Sequence, residues 1–289
     1  MATPGIEGLS GSVIADLYRA ACLAELDALK VGNVHAYAPG HRMEVADFVA
    51  SADVSAQHLA QQGASIGMRV RKGVAATIAA VGQNTNLGIL LLCAPLALAA
   101  EQPEDLRRAL NRLLDALDEA DGANVFEAIR RANPGGLGKA DRHDVTADAS
   151  PVTLRAAMAE AAPRDRIARA YVTGFADLFE VGLTALAVAR AQGLDAPWTT
   201  TAVHLAYLAQ VPDSHIARKH GPETAEAIRR ETAAMLGLFD LRTQPIEALL
   251  AYDRRLKAAG INPGTSADFT VATLFADTLL AARGECLAQ

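Results

Sequence analysis

Residues 87–100 read LGILLLCAPLALAA, and the fold of the chain turns on what this stretch is. It is the most apolar run in the sequence, and Pro95 interrupts it. At 14 residues it falls short of the roughly 20 that a membrane-spanning helix needs. It therefore reads as a helix buried on all sides in a protein core. Outward from it in both directions the apolar residues recur with helical spacing. This periodicity predicts helices near 10–29, 44–62, 66–81, 86–101, 103–119, 123–132, 151–161, 164–192, 198–210, 213–219, 222–237, 244–258 and 266–283. Several starts carry local signals. Pro103-Glu104-Asp105 puts a proline and two acids in a first turn, Pro222-Glu223 follows Gly221, and Thr243 precedes Pro245 and Glu247. No stretch alternates in the manner of a strand bounded by hairpin turns. The expected fold is all-α, a single multi-helix globular domain over residues 1–289.

Composition agrees. The 289 residues are 51% hydrophobic and 21% charged, which excludes a disordered chain. Aromatics make up only 4%, with one Trp, so the core is expected to be aliphatic and built of small side chains. The 27 basic and 33 acidic side chains are mixed along the sequence and sum to −6. Neither a basic excess nor a basic stripe is present, which argues against a nucleic-acid partner. Local basic clusters still suit a phosphorylated small molecule. The three cysteines, Cys22, Cys93 and Cys286, are odd in number and widely spaced. They read as reduced thiols in a cytoplasmic protein rather than a disulfide framework or a zinc site. The N-terminal residues MATPGIEGLSGSVIADLYRA lack the basic start and apolar stretch of a signal peptide. No membrane partner is expected, and the scarcity of aromatic anchors leaves the oligomeric state unread.

Five polar, glycine-containing segments interrupt the apolar helices. KVGNVH (30–35) follows a helix whose last turns carry Glu25 and Asp27. Its Lys30 and His35 suit phosphate contact or proton transfer, and Gly32 permits a left-handed turn or close backbone approach. A plain helix C-cap explains the same residues. GQNTNLG (82–88) opens the apolar helix, and so many amides there need hydrogen-bond partners. Either Asn84, Thr85 or Asn86 caps the helix, or the turn grips a substrate. DSHIARKHG (213–221) joins a carboxylate to Arg218, Lys219 and two histidines, which suits a polyphosphate, or else it is a solvated helix end. His215 and His220 are five apart, on different sides of a helix, so a paired-histidine metal site is not expected. NPGTSAD (262–268) is a good helix start, with Thr265 or Ser266 as cap, and equally an anion site. NPGGLG (133–138) lies in the longest irregular stretch, residues 133–150. It matches neither the dinucleotide fingerprint nor the phosphate-binding loop.

In this order the stretches KVGNVH, GQNTNLGILLLCAPL, NPGGLG followed by DV, DSHIARKHG and NPGTSADFTVATLF resemble the triphosphoribosyl-dephospho-CoA synthase family. They span residues 30 to 275, nearly the whole chain. The resemblance implies an all-α fold and an unusual ribosyl transfer. In that reaction the triphosphoribosyl part of ATP moves onto a ribose hydroxyl of dephospho-CoA and adenine leaves. Two departures stand out. The family's first motif usually reads Pro-Lys-Pro-Gly, and here it is Leu29-Lys30-Val31-Gly32. In the citrate and malonate branch the second motif carries His and then Lys or Arg after Asn-Thr, where Asn86 and Leu87 stand here. The Asn-Thr-Asn-Leu-Gly form is similar to a divergent archaeal and methylotroph branch. That points to a possible second acceptor, such as a precursor of a methanopterin-type cofactor.

The implied chemistry passes through a cationic ribosyl species that a carboxylate stabilises, and it needs a base for the acceptor hydroxyl. Asp213 or Asp268 is expected near the ribose, with His35 as a further candidate base. Lys30, Arg218 and Lys219 are expected to bind phosphates. Gly32, Asn33, Asn84, Thr85, Asn86, Gly88, Gly135, Gly136, Gly221, Gly264, Thr265 and Ser266 are expected to orient the sugar or phosphate. A polyphosphate substrate such as ATP suggests Mg²⁺, for which Asp213 and Asp268 are the candidate ligands. The competing reading is a non-catalytic helical binding protein in which every motif is merely a cap. That reading scatters the segments over the surface, whereas the enzymatic one gathers them in one pocket.

Overall fold

The computed structural model describes residues 6–38, 43–133 and 152–285. Among these there are fourteen α-helices and no sheet. The apolar run is α4 (Leu87–Ala100), and twelve of its residues are buried. It packs against α3 (Ile66–Val81), α5 (Leu106–Asp115) and α14 (Gly264–Ala282), with α2 (Val45–Leu59) and α8 (Arg166–Thr173) touching it as well. Close approach to α3 depends on Gly73, where a Cβ would lie 2.9 Å from the Leu90 side chain. Pro95 cannot donate to the carbonyl of Leu91, which leaves a buried acceptor in mid-helix. The hydroxyl of Tyr171 on α8 donates to that carbonyl at 2.7 Å. Tyr171→Phe is expected to cost about 1–3 kcal/mol by orphaning it, measured by chemical denaturation; a change under a few tenths would contradict this pairing.

Around this axis α1 (Gly11–Asp27) packs on α2 and α14, and α3 packs on α6 (Glu119–Ala132), which in turn meets α7 (Leu154–Ala161). A second apolar cluster lies among α10 (Ala196–Gln210), α11 (Ser214–His220), α12 (Pro222–Leu236) and α13 (Ile246–Ala258). It contains Trp198, Leu205, Ile228, Leu249 and Leu256. Helix α10 serves both clusters, since its Val203 and Tyr207 face the first. Many starts carry the caps that their sequences suggest. Ser65, Asp105, Asp118, Asp165 and Asp195 each accept a first-turn backbone N–H. Arg69 is fully buried and donates to the carbonyls of Leu59 and Ala64 and to Glu101, tying the end of α2 to the end of α4.

Three expected boundaries are corrected. The predicted helix over 164–192 is two helices, α8 and α9 (Leu183–Ala191), the latter entered through a π turn at Leu178–Gly182. The chain bends by 97° between them. Gly174 and Phe175 both take positive φ there, and the Phe175 amide closes on the Ala170 carbonyl at 2.9 Å. Second, the helix expected over 103–119 runs only from Leu106 to Asp115, because Asp105 is its cap rather than its first turn. Third, α14 starts at Gly264, so Thr265 and Ser266 lie in its first turn and do not cap it. No single helix among the described residues is long and apolar enough to cross a membrane.

Candidate active site

The first turns of α4, α8, α11 and α14 open on one cavity of about 1290 Å³. All five polar segments contribute to its wall: Asn33 from KVGNVH, Asn84, Thr85 and Gly88 from GQNTNLG, Arg218 and Lys219 from DSHIARKHG, Gly264, Thr265 and Asp268 from NPGTSAD, and Asn133 from NPGGLG. Gly135 and Gly136 lie outside the described residues. The remaining expected site residues stand behind the wall, and their contacts show what they do there.

Asp213 is the N-cap of α11 and is 1% exposed. One carboxylate oxygen accepts from the amides of His215 and Ile216, at 2.8 and 3.0 Å. The other accepts from the amide and hydroxyl of Ser266, at 2.7 and 2.8 Å. Thr265 completes the junction, with its hydroxyl 3.0 Å from that of Ser214. Asp213 thus fastens α11 to α14, and Ser266 serves that junction instead of facing the cavity. Burial raises the Asp213 carboxyl above its ordinary value, and the four donors oppose the rise.

Asp268, on the next turn of α14, is the opposite case. It faces the cavity, and its side chain has no hydrogen-bond partner among the described residues. Burial first, then the carboxylates of Asp213 and Glu25, push its carboxyl well above the ordinary range, while Arg218 pulls the other way. Gly88 makes room for it, since a Cβ there would lie 2.0 Å from an Asp268 carboxylate oxygen and 2.9 Å from Ile167. Gly88→Ala is expected to displace the carboxylate and cost about 1–3 kcal/mol. An unchanged melting temperature would contradict this contact.

Lys30 does not reach the cavity. Only 1% exposed, it is ion-paired with Glu25, which does line the wall. Its ammonium also donates to Asn33 at 3.3 Å, and Asn33 donates to Asn262 at 2.8 Å. Gly32 takes the left-handed conformation, and its amide donates to Asp253 at 2.8 Å. His35 is fully buried with its Nε2 3.4 Å from the same carboxylate, and Lys257 pairs with the other oxygen at 3.0 Å. His35 is therefore part of a tie between the 30–35 loop and α13, away from the cavity wall. Burial holds its imidazole below the usual value. In the second segment, Asn84 accepts from the Leu87 amide at 3.1 Å, and Thr85 pairs with Ser51 at 2.5 Å. Asn86 is turned inward and donates to Ser55 at 3.2 Å, while Leu87 faces the cavity. Gly221 is the corner between α11 and α12, with φ of 90°, and is not on the wall.

The lining also includes residues that the motifs did not assign a role, among them Glu25, His215, Arg131, Arg164, Arg166 and the acids Glu160, Asp165 and Glu226. His215 packs edge-on to Gly264, where a Cβ would fall 2.8 Å from its Nδ1. Its place in DSHIARKHG was a signal, and so was Glu25 at the end of α1. The three arginines lie on unremarkable helix ends. Charge across the cavity is divided. Glu25 is buried, with Asp213 buried behind the wall, whereas Asp268, Arg166 and Arg218 are half-buried with Glu160, Asp165 and Glu226, and the exposed charges of the lining, Arg131, Arg164 and Lys219, are all cations. Arg218 reaches Asp165 at 3.2 Å and Arg166 pairs with Asp177 at 2.5 Å, which holds both guanidinium groups in place.

The family described as ATP:dephospho-CoA triphosphoribosyl transferase matches residues 11–286. No curated protein matches the chain in sequence. Among solved structures the chain is similar to a candidate triphosphoribosyl-dephospho-CoA synthase from Archaeoglobus fulgidus. The two are 22% identical with a TM-score of 0.60, over 82% of this chain and 100% of that one. At that identity the likeness supports the all-α fold.

Proposed function

Since the chain belongs to the ATP:dephospho-CoA triphosphoribosyl transferase family, we propose that its cavity is where the triphosphoribosyl group leaves adenine and joins a ribose hydroxyl of dephospho-CoA. The observation that carries this reading is the division of charge in one cavity: the buried Glu25 and half-buried Asp268 in its wall, and exposed charges, Arg131, Arg164 and Lys219, that are all cations. A triphosphoribosyl group in transfer has the same division. Its phosphates are anionic, and its anomeric carbon becomes positive as the bond to adenine lengthens. Asp268, crowded by like charge and lacking donors, gains most from a cation placed beside it. Arg218 and Lys219, with Arg131 and Arg164, take the phosphates. Asn84, Thr85 and Thr265 offer amide and hydroxyl groups to the sugar.

The fit to Mg²⁺ is selective. All the acceptor capacity of Asp213 is engaged by its four donors, whereas Asp268 has none to displace. No group of three metal-ligating side chains occurs among the described residues. Asp268 together with phosphate oxygens would hold the ion in the manner usual for Mg²⁺. When bound, the ion would neutralise phosphate charge.

Arg218→Ala and Lys219→Ala are expected to raise KM for ATP roughly tenfold each while the protein stays folded. Unchanged affinity for the donor would remove the rim from phosphate binding. A second acceptor is favoured by one observation: Leu87 puts an apolar side chain on the wall where the citrate and malonate branch carries a cation. Mass spectrometry of products formed from ATP with dephospho-CoA, and separately with a methanopterin-type precursor, distinguishes the two.

A further inference from the structure

The buried pair at the end of α1 is arranged the wrong way round for phosphate binding. The cation, Lys30, is sealed in the protein, and the carboxylate, Glu25, is the member that lines the cavity. Lys30 is itself anchored, through Asn33, to Asn262 at the entry to α14, the helix that carries Asp268. The chain of contacts from Asn262 through Asn33 and Lys30 to Glu25 thus holds one carboxylate in register with the helix bearing the other. An isolated ion pair in a wall rarely repays its desolvation through stability alone, so a placement this constrained calls for another role.

We propose that Glu25 is the catalytic carboxylate that takes the proton of the acceptor hydroxyl, and that Lys30 is the positioning residue that holds it at the cavity wall. This rests on the transfer reaction proposed above. The hydroxyl oxygen forms the new bond to the anomeric carbon as its proton passes to Glu25. The bond from that carbon to adenine breaks, and its electron pair leaves with the base. Adenine takes up a proton from water and Glu25 returns its own, so no net proton is consumed. Asp268 faces the positive charge that builds between the two steps, and the two carboxylates divide the work. His35, sealed against Asp253, has no access to this hydroxyl.

Steady-state kinetics with ATP and dephospho-CoA test the assignment. Glu25→Gln is expected to lower kcat by about 10²–10⁴-fold, the range for loss of a general base, with KM for ATP within twofold of the unaltered protein. Lys30→Met is expected to lower kcat at least tenfold with the same unchanged KM, and Lys30→Arg to recover part of it. A Lys30→Met variant with raised KM and unchanged kcat would make Lys30 a phosphate ligand and overturn the proposal. Because either single variant leaves a buried charge, the neutral pair Lys30→Met with Glu25→Gln is the control for folding. It is expected to melt as a folded protein and to be as slow as Glu25→Gln. Recovery of wild-type turnover in that double variant would make the pair merely structural and would overturn the proposal alone. If the unaltered protein releases no adenine from ATP with any acceptor, the reaction itself is misread and the proposal falls with it.

Discussion

Asp268→Asn is expected to lower turnover by about 10²–10⁴-fold and, in the same protein, to raise its stability at pH 8 by on the order of 1 kcal/mol. The two effects have one cause. The wild-type carboxylate is half-buried without a donor beside two other acids, so its ionised form is unfavourable in the folded chain. The amide removes that charge and keeps the shape. The sign of the pH dependence follows. A folded-state value raised above the unfolded one adds stability at low pH, and this contribution is lost as pH rises through the raised value. The advantage of the asparagine variant therefore grows with pH and vanishes below the ordinary carboxylate range. Activity runs the other way, because only the ionised carboxylate opposes a cationic sugar. The acidic limb of kcat/KM should fall at a higher pH than an ordinary aspartate would give. A variant that keeps full turnover, or one less stable than wild type at pH 8, would contradict this account of Asp268.

Asp213→Ala is expected to be the most destabilising single change near the site, at about 3–5 kcal/mol. It strands the amides of Ile216 and Ser266 and the Ser266 hydroxyl in a buried junction, while the His215 amide retains the Thr265 hydroxyl at 3.2 Å. Activity should fall too, because α11 and α14 carry the rim cations and Asp268. Asp213→Asn should lie between the two, since its amide oxygen can still cap α11 while its NH₂ faces the Ser266 donors. Urea denaturation reads the loss as a lower midpoint at unchanged slope. A loss under 1 kcal/mol would mean that the junction does not depend on this carboxylate.

These two aspartates show what was legible in the sequence. Both stand at helix starts in polar segments, and one or the other is expected near the ribose. Spacing along one chain shows that Ser266 can cap its own helix or bond elsewhere. Only the packing of α11 against α14 decides that it serves Asp213. Lys30 was misplaced for a similar reason. A lysine after a helix end is ordinarily solvated, and its burial follows from Glu25 five residues earlier and from Asn262 far along the chain. The arginines at 131, 164 and 166 carried no signal, since helix ends bear such residues everywhere and only tertiary structure gathers them. The apolar α4 was plain because its burial needs no partner to be specified. The break at Gly174 and Phe175 was hidden, because helical periodicity continues across it and Phe175 accepts positive φ in order to bury its ring fully.

A crystal structure of the protein with ATP and dephospho-CoA tests the central claim most directly. The charge-divided cavity predicts the donor's anomeric carbon beside Asp268 and Gly88, with the triphosphate among Arg218, Lys219 and Arg131. Nucleotide bound in full elsewhere on the molecule, with this cavity holding neither substrate, would contradict it.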